Sequence, residues 1–232
     1  KAVIDEIGEP LVHLIRNAVD HGIETPDVRV ARGKSPTGTI LLSAAQESNQ
    51  VVITLIDDGG GIDARSCGSG TDIMGNRFYD NGGYPLAICD WASADEQNRF
   101  AAEGAVADLT DPDNCVIISG DIFQADRYLT ITEVPYRFDE DSSVLQDASL
   151  YLGPRATLRF GAGAGLTVMA GGFIVAEGSS EEPVVFEGVN SAASWTGIYF
   201  EDDSVDNVLS RCVSSGVYNN FAVTLDPGAI AD

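Results

Sequence analysis

Two short groups of residues carry the clearest capacity for chemistry: the run Asp57-Asp58-Gly59-Gly60-Gly61, and the polar set His13, Asn17, Asp20 and His21. A carboxylate at the end of a strand accepts a hydrogen bond from an exocyclic amine, and glycines without a Cβ let the backbone approach a flat ring. The amide oxygen of Asn17 suits a hard cation such as Mg²⁺, which would bridge to phosphates. The ligand expected from these residue types is a nucleotide with its metal.

Other groups invite weaker readings. Glu201-Asp202-Asp203 with Asp206 offers carboxylates for acid and base work on a glycosidic bond, but reads more simply as an acidic turn outside a strand. Asp139-Glu140-Asp141 is either a Ca²⁺ attractor or a solvated loop, and Arg155 and Arg159 read as surface ions. Trp195 and Tyr199 have rings that stack on sugars, although Trp195 at the start of a strand reads as core. The four cysteines, Cys67, Cys89, Cys115 and Cys212, lack metal-ligand spacing, and with only His13 and His21 beside them no zinc site is expected. They read as buried thiols, with Cys89 and Cys115, 26 residues apart, stacking on neighbouring coils.

The elements that must position the first two groups follow from periodicity. From Glu9 the apolar Leu11, Leu14, Ile15 and Ala18 recur at helical spacing, with Pro10 in the first turn and Gly22 as a stop. His13, Asn17, Asp20 and His21 fall at i, i+4, i+7 and i+8 of that helix, on a polar face beside the apolar one. Residues 39–45 and 51–56 read as two strands around the turn Glu47-Ser48-Asn49, and the second strand runs into Asp57.

The stretch HLIRNAVDHGIE, from His13, together with DDGGGID, from Asp57, resembles two ATP-site motifs of the chemotaxis-type histidine kinases. By that resemblance Asn17 would hold Mg²⁺ and His13 would take a place associated with phosphoryl transfer. Asp20 and His21 would lie beside the phosphates, and Asp57 would bind the adenine amine above a turn formed by Gly59 and Gly61. ATP and Mg²⁺ are the implied cofactors. The family's pattern then continues with a lid, a second glycine motif and closing strands, whereas here only Gly68-Ser69-Gly70-Thr71-Asp72-Ile73-Met74 faintly matches that glycine motif.

Beyond residue 70 the signature is repetition. Asn76-Arg77-Phe78 returns as Asn98-Arg99-Phe100, and short apolar strands follow at intervals marked by Gly, Asn, Asp and Pro. Phe160 to Phe186 and Val184 to Val208, 26 and 24 residues apart, suggest one coil each. Asn76, Asn81 and Asn98 are placed to bond along a stack of turns. The runs from Ile73, at Val134, and from Ala156 to Phe200 resemble right-handed parallel β-helix repeats of bacterial and archaeal surface proteins.

The expected fold is mainly β: a right-handed parallel β-helix over residues 66–232, with a helix-plus-hairpin segment over residues 1–65 capping one end. Basic residues gather between Lys1 and Lys34 and thin out from Thr71 onward. A net charge of −23 argues against nucleic acid and anionic lipid as partners. No apolar run approaches the roughly 20 residues of a membrane span. The chain starts at Lys1 without a signal-like region, which leaves its compartment open: the β-helix implies an extracellular or surface setting, the kinase-like part a cytoplasmic one. The expected function is a noncatalytic β-helix module for a surface, glycan or protein ligand, fused to an incomplete kinase ATP-binding segment. The alternatives are a working ATP-dependent signalling protein and a glycan-cleaving lyase or hydrolase on the β-helix.

Overall fold

The computed structural model describes residues 15, 19, 23–31, 34–47, 50–66, 71–79, 81, 83–102, 104–122, 126–190, 194–218 and 223–225. A short helix, α1 (Pro26–Ala31), opens as its sequence dictates, with Thr25 ahead of it, Pro26 in the first turn and Asp27 near the positive end of the helix dipole. An antiparallel hairpin follows, β1 (Ile40–Glu47) against β2 (Gln50–Asp57), in a register that runs from Glu47 opposite Gln50 out to Ile40 opposite Asp57. The sequence-derived hairpin is therefore present.

The rest of the described chain is a parallel β-solenoid of about six turns. Its first face is one seven-stranded sheet. In spatial order it holds β3 (Ile62–Ala64), β5 (Leu86–Ile88), β7 (Val116–Ile118), β9 (Tyr136–Phe138), β12 (Thr157–Phe160), β15 (Val184–Gly188) and β18 (Cys212–Ser215). The second face stacks β10 (Ser142–Val144), β13 (Gly165–Val168), β16 (Gly197–Phe200) and β19 (Val223–Leu225). The third stacks β8 (Arg127–Leu129), β11 (Ser149–Leu152), β14 (Phe173–Glu177) and β17 (Val208–Ser210). In the early coils β4 (Thr71–Ile73) pairs with β6 (Ala92–Ala94), and Arg77 bridges Arg99.

Alternation builds the core, because neighbouring residues of a strand point to opposite sides. Leu86, Val116, Tyr136, Leu158 and Phe186 occupy one inward column of the first face, and Ile88, Ile118, Phe138 and Phe160 the next. The rings stack rung on rung: Phe78 on Phe100 at 5.2 Å, Phe138 on Phe160 at 5.4 Å, and Phe160 on Trp195 at 4.5 Å. Trp195 is fully buried, and its indole N–H donates to Ser215 O at 2.8 Å. It is core, as its place at a strand start suggests, and is not a sugar platform.

The repeat of Asn76-Arg77-Phe78 in Asn98-Arg99-Phe100 is a true one-coil step. Asn98 Oδ1 accepts both the Asn76 backbone N–H, at 3.0 Å, and the Asn76 side-chain amide, at 3.1 Å. The buried Asn98 amide donates in turn to Ile73 O at 2.7 Å and Asp95 O at 3.0 Å.

Three other sequence-derived alignments are shifted. Phe160 lies opposite Gly188 and Phe186 opposite Leu158, while Val184 lies opposite Cys212 and Val208 opposite Val175. Cys89 and Cys115 do not stack, since Leu86 pairs with Val116, a step of 30 residues. The cause is loop length. The chain between β6 and β7 bulges out and returns across the outer side of the first face, where Arg137 Nη1 donates to Pro112 O at 3.2 Å and Arg159 Nη2 donates to Leu109 O at 3.5 Å. Cys115 is fully buried with Ala87 and Ile117 in that outer layer, and burial pushes its thiol up to about 12. Cys89 Sγ instead lies 3.5 Å from Ala64 O.

The acidic runs are also accounted for by local structure. Asp139 pairs with Arg137 at 2.7 Å, and Arg159 pairs with Glu187 at 2.8 Å. Glu201 Oε2 accepts the Ala170 N–H at 3.2 Å, while Asp203 and Asp206 each sit at a φ of 63° in the turns that lead to β17. Short polar side chains tolerate that left-handed region better than most, which explains why the turns carry aspartate.

Candidate functional site

The end of β2 is where the nucleotide reading places its carboxylate and glycines. Asp57 closes the strand, and its Oδ1 accepts the Gly59 N–H at 2.9 Å, so the acid shapes the turn it precedes. Asp58 Oδ1 accepts the Thr39 N–H at 2.8 Å. Burial pulls the Asp58 carboxyl upward, but the Thr39 N–H and the Arg29 guanidinium outweigh it and hold the group below the usual carboxylate range.

Arg29 of α1 is the unforeseen anchor of this region. Its side chain is 1% exposed, Nε donates to Ser35 O at 2.7 Å, and Nη1 donates to Glu24 Oε2 and Asp58 O, both at 3.1 Å. Nη2 stands 3.0 Å from Asp58 Oδ2. Lys34 Nζ adds Glu24 Oε1 at 3.2 Å, Asp58 O at 2.9 Å and Gly59 O at 3.0 Å. Two cations thus clamp the backbone of the glycine turn from the α1 side. Nothing in the local sequence singles out Arg29, because its partners are mostly carbonyls that only the fold brings together.

The far side of the same turn is built into the solenoid. Gly61 adopts a φ of +93°, and a Cβ there would overlap the carbonyl oxygens of Tyr84 and Pro85. The next residue, Ile62, donates its N–H to Pro85 O at 3.0 Å and starts β3, the first rung of the seven-stranded face. The long sheet therefore begins inside the DDGGGID motif. Beside the turn lies a cavity of about 150 Å³, lined in part by Ile23, Glu24, Gly60, Gly61, Tyr84 and Arg65. Pockets that enclose drug-sized ligands run to roughly 300–1,000 Å³, and the space beside the turn is smaller than that. His13, Asn17, Asp20 and His21 lie outside the described residues.

A second surface stands out on the third face. Outward positions there align Tyr128, Tyr151, Val175 and Val208. The Tyr128 and Tyr151 rings stack at 4.6 Å and 11°, Phe173 meets Tyr151 edge-on at 5.9 Å, and Tyr128 is 55% exposed. Asp126, at a φ of 58°, donates its N–H to Ser149 Oγ at 2.6 Å. Desolvation raises the pKa of the Tyr151 phenol, as do the carboxylate of Asp126 and the Tyr128 ring alongside, against a hydrogen bond with Ser149 that lowers it. The pattern Arg127-Tyr128-Leu129 over Leu150-Tyr151-Leu152 carries this strip in the sequence, but its register is visible only once the coil is closed. Tyr199, the exposed aromatic singled out from sequence, lies on the second face.

The described residues contain no group of three or more His, Cys, Asp or Glu side chains arranged to hold a metal. Among the described residues the carboxylates whose pKa values the structure moves, Asp58, Asp63 and Asp108, are moved down, by ion pairing or by hydrogen bonds from Thr39, Arg65 and Thr110 acting against burial. No helix among the described residues is long and apolar enough to cross a membrane.

Comparison with known proteins bears on one part of the chain. The chemotaxis protein CheA of Rhizobium meliloti is 61% identical over 62 residues, which is 27% of this chain and 8% of that protein. A segment of this chain is CheA-like. The CheA of Listeria innocua is 62% identical over 65 residues, 28% of this chain and 10% of its own length. That of Bacillus subtilis is 37% identical over 117 residues, 47% of this chain and 17% of the relative. The chain spans about a tenth of the length of the first two relatives, so it matches a small piece of a larger kinase-related protein. No family model matches the chain, and no solved structure matches it.

Proposed function

We infer that this chain acts as a noncatalytic β-solenoid module that binds a glycan or protein ligand at a surface, and that its CheA-like segment serves as a structural lead-in to the solenoid. The observation that carries this reading is the position of Gly61. The turn that the kinase resemblance would place beneath an adenine ring is wedged against the Tyr84 and Pro85 carbonyls and continues directly into the first rung. A backbone held on one side by Arg29 and Lys34 and on the other by the first coil supports a joint. The long regular faces, with alternate residues turned outward, support a binding surface in place of an enclosed catalytic cleft.

The test is calorimetric titration of the whole chain with Mg²⁺-ATP, beside an Asp57→Asn variant. No saturable heat in either protein is the expected result. Saturable binding that Asp57→Asn abolishes would overturn the reading and support the ATP-dependent signalling alternative, with Asn17, Asp20 and His21 as the residues to examine next.

A further inference from the structure

We propose that the stacked pair Arg77 and Arg99, on the outside of the early coils, is a binding site for a phosphate monoester group. The site is independent of whatever the long faces of the solenoid bind.

In Asn76-Arg77-Phe78 and its repeat Asn98-Arg99-Phe100 the first and last residues have folding roles. The asparagines join the two coils through Asn98 Oδ1, and the buried phenylalanines stack at 5.2 Å. The middle residues do neither. Arg77 and Arg99 form a parallel bridge, in which the Arg99 N–H donates to Asn76 O at 2.8 Å and the Phe78 N–H donates to Arg99 O at 2.7 Å. Alternation with the buried phenylalanines turns both arginines outward, and both are exposed. Neighbouring rungs lie about 4.8 Å apart, so two full positive charges leave the backbone side by side. Like charges directly opposite each other on neighbouring strands are destabilising.

No carboxylate among the described residues answers these charges. Arg29, Arg65, Arg127, Arg137 and Arg159 each stand 3.4 Å or less from an acidic oxygen, whereas Arg77 and Arg99 form no ion pair among the described residues. Three acids close to them in the coils are engaged by other donors. Asp72 Oδ1 accepts the Ser93 hydroxyl, Asp95 Oδ1 accepts the Gln97 N–H at 3.2 Å, and Glu133 Oε2 accepts the Phe100 N–H at 3.3 Å. Glu96 offers Arg99 its backbone: Arg99 Nη1 donates to Glu96 O at 2.5 Å and to Asn98 O at 3.3 Å. Those bonds hold one end of the Arg99 guanidinium and leave Nε and Nη2 for a ligand.

The class of ligand follows from geometry and charge. A guanidinium presents a planar fork of N–H donors that suits phosphate oxygens, and forks on adjacent rungs can take different oxygens of one tetrahedral group. A phosphate monoester carries about −1.5 to −2 charge at pH 7, which matches two arginines, whereas a carboxylate brings a single charge. The net charge of −23 opposes anions at long range, but salt screens it beyond about 8 Å under physiological conditions. A single phosphate group fits within that distance of the pair. A polyanion would extend past it onto the acidic surface and be repelled.

The test is calorimetric titration of the intact chain with glucose 6-phosphate, inorganic phosphate, glucuronate and glucose, repeated with Arg77→Gln and with Arg99→Gln. Glucose 6-phosphate is expected to bind saturably, at least tenfold more tightly than glucuronate, with affinity reduced at least tenfold by either variant and with no heat from glucose. Inorganic phosphate is expected to compete for the same pair, and the ratio of the two affinities tells whether the ester or the free anion is the better occupant, either ordering supporting the site. Urea unfolding without phosphate gives a second readout: each variant should leave the midpoint unchanged or raise it, because it removes one of two opposed like charges. Glucuronate binding as tightly as glucose 6-phosphate would overturn the ligand class. Binding of glucose 6-phosphate that neither variant weakens, or no saturable binding up to about 10 mM, would overturn the site. A clear loss of stability in both variants without phosphate would give the arginines a folding role and overturn the proposal.

Discussion

Gly61→Ala is expected to destabilise the folded chain by about 3 kcal/mol in urea unfolding with no nucleotide present, whereas Gly60→Ala should cost less than about 1 kcal/mol. Gly61 combines a φ of +93° with a Cβ position already occupied by the carbonyls of Tyr84 and Pro85, so alanine brings both backbone strain and a collision with rigid main chain. A non-glycine residue in that region costs on the order of 1–3 kcal/mol before any collision is counted. At Gly60 the nearest atoms to a new Cβ are the Glu24 side chain at 3.6 Å and beyond, ordinary contact distances. Two adjacent glycines of one motif thus separate. If the motif served only a nucleotide, both substitutions would leave the stability of the ligand-free protein almost unchanged.

Arg127→Met is expected to cost about 3–5 kcal/mol. Arg127 occupies an inward position, opposite Leu150, with its side chain 7% exposed and Nε 3.4 Å from Oδ1 of the fully buried Asp90. The two atoms are at ion-pair distance without hydrogen-bond alignment, so the attraction is largely between net charges. Removing the cation takes a nearby opposite charge away from a buried carboxylate. Replacing both, as Asp90→Leu with Arg127→Met, should return most of the loss, because two apolar side chains need no compensation. Urea unfolding followed by circular dichroism measures both variants. A single substitution costing under about 1 kcal/mol would mean that Asp90 is satisfied by its other contacts.

These two residues also show what was legible in the sequence. The glycine run was visible, and the kinase resemblance assigned it to a ligand. Its structural role depends on Pro85, more than twenty residues away, which no local pattern connects to it. Arg127 begins a strand whose alternation places it inside, yet a lone arginine reads as a surface ion by default. The hairpin, the Asn76–Asn98 step and the buried Trp195 followed from turn chemistry, a repeated tripeptide and strand position. Coil registers failed where loops vary in length. The step from Leu86 to Val116 is 30 residues, that from Val116 to Tyr136 is 20, and that from Val175 to Val208 is 33. Equal spacing therefore aligned the wrong partners, Cys89 with Cys115 among them. The outward tyrosines were missed for a related reason: a three-residue strand gives too short an alternation to tell which side is core until the neighbouring rungs are in place.

As a joint fixed by the solenoid, the glycine turn should be ordered before any nucleotide is added. Hydrogen–deuterium exchange across residues 58–64, with and without Mg²⁺-ATP, tests it most directly. The Ile62 amide, which donates to Pro85 O, is expected to exchange slowly in the ligand-free protein, and Mg²⁺-ATP is expected to leave its exchange unchanged. Fast exchange at 58–64 that becomes protected only when Mg²⁺-ATP is added would contradict it.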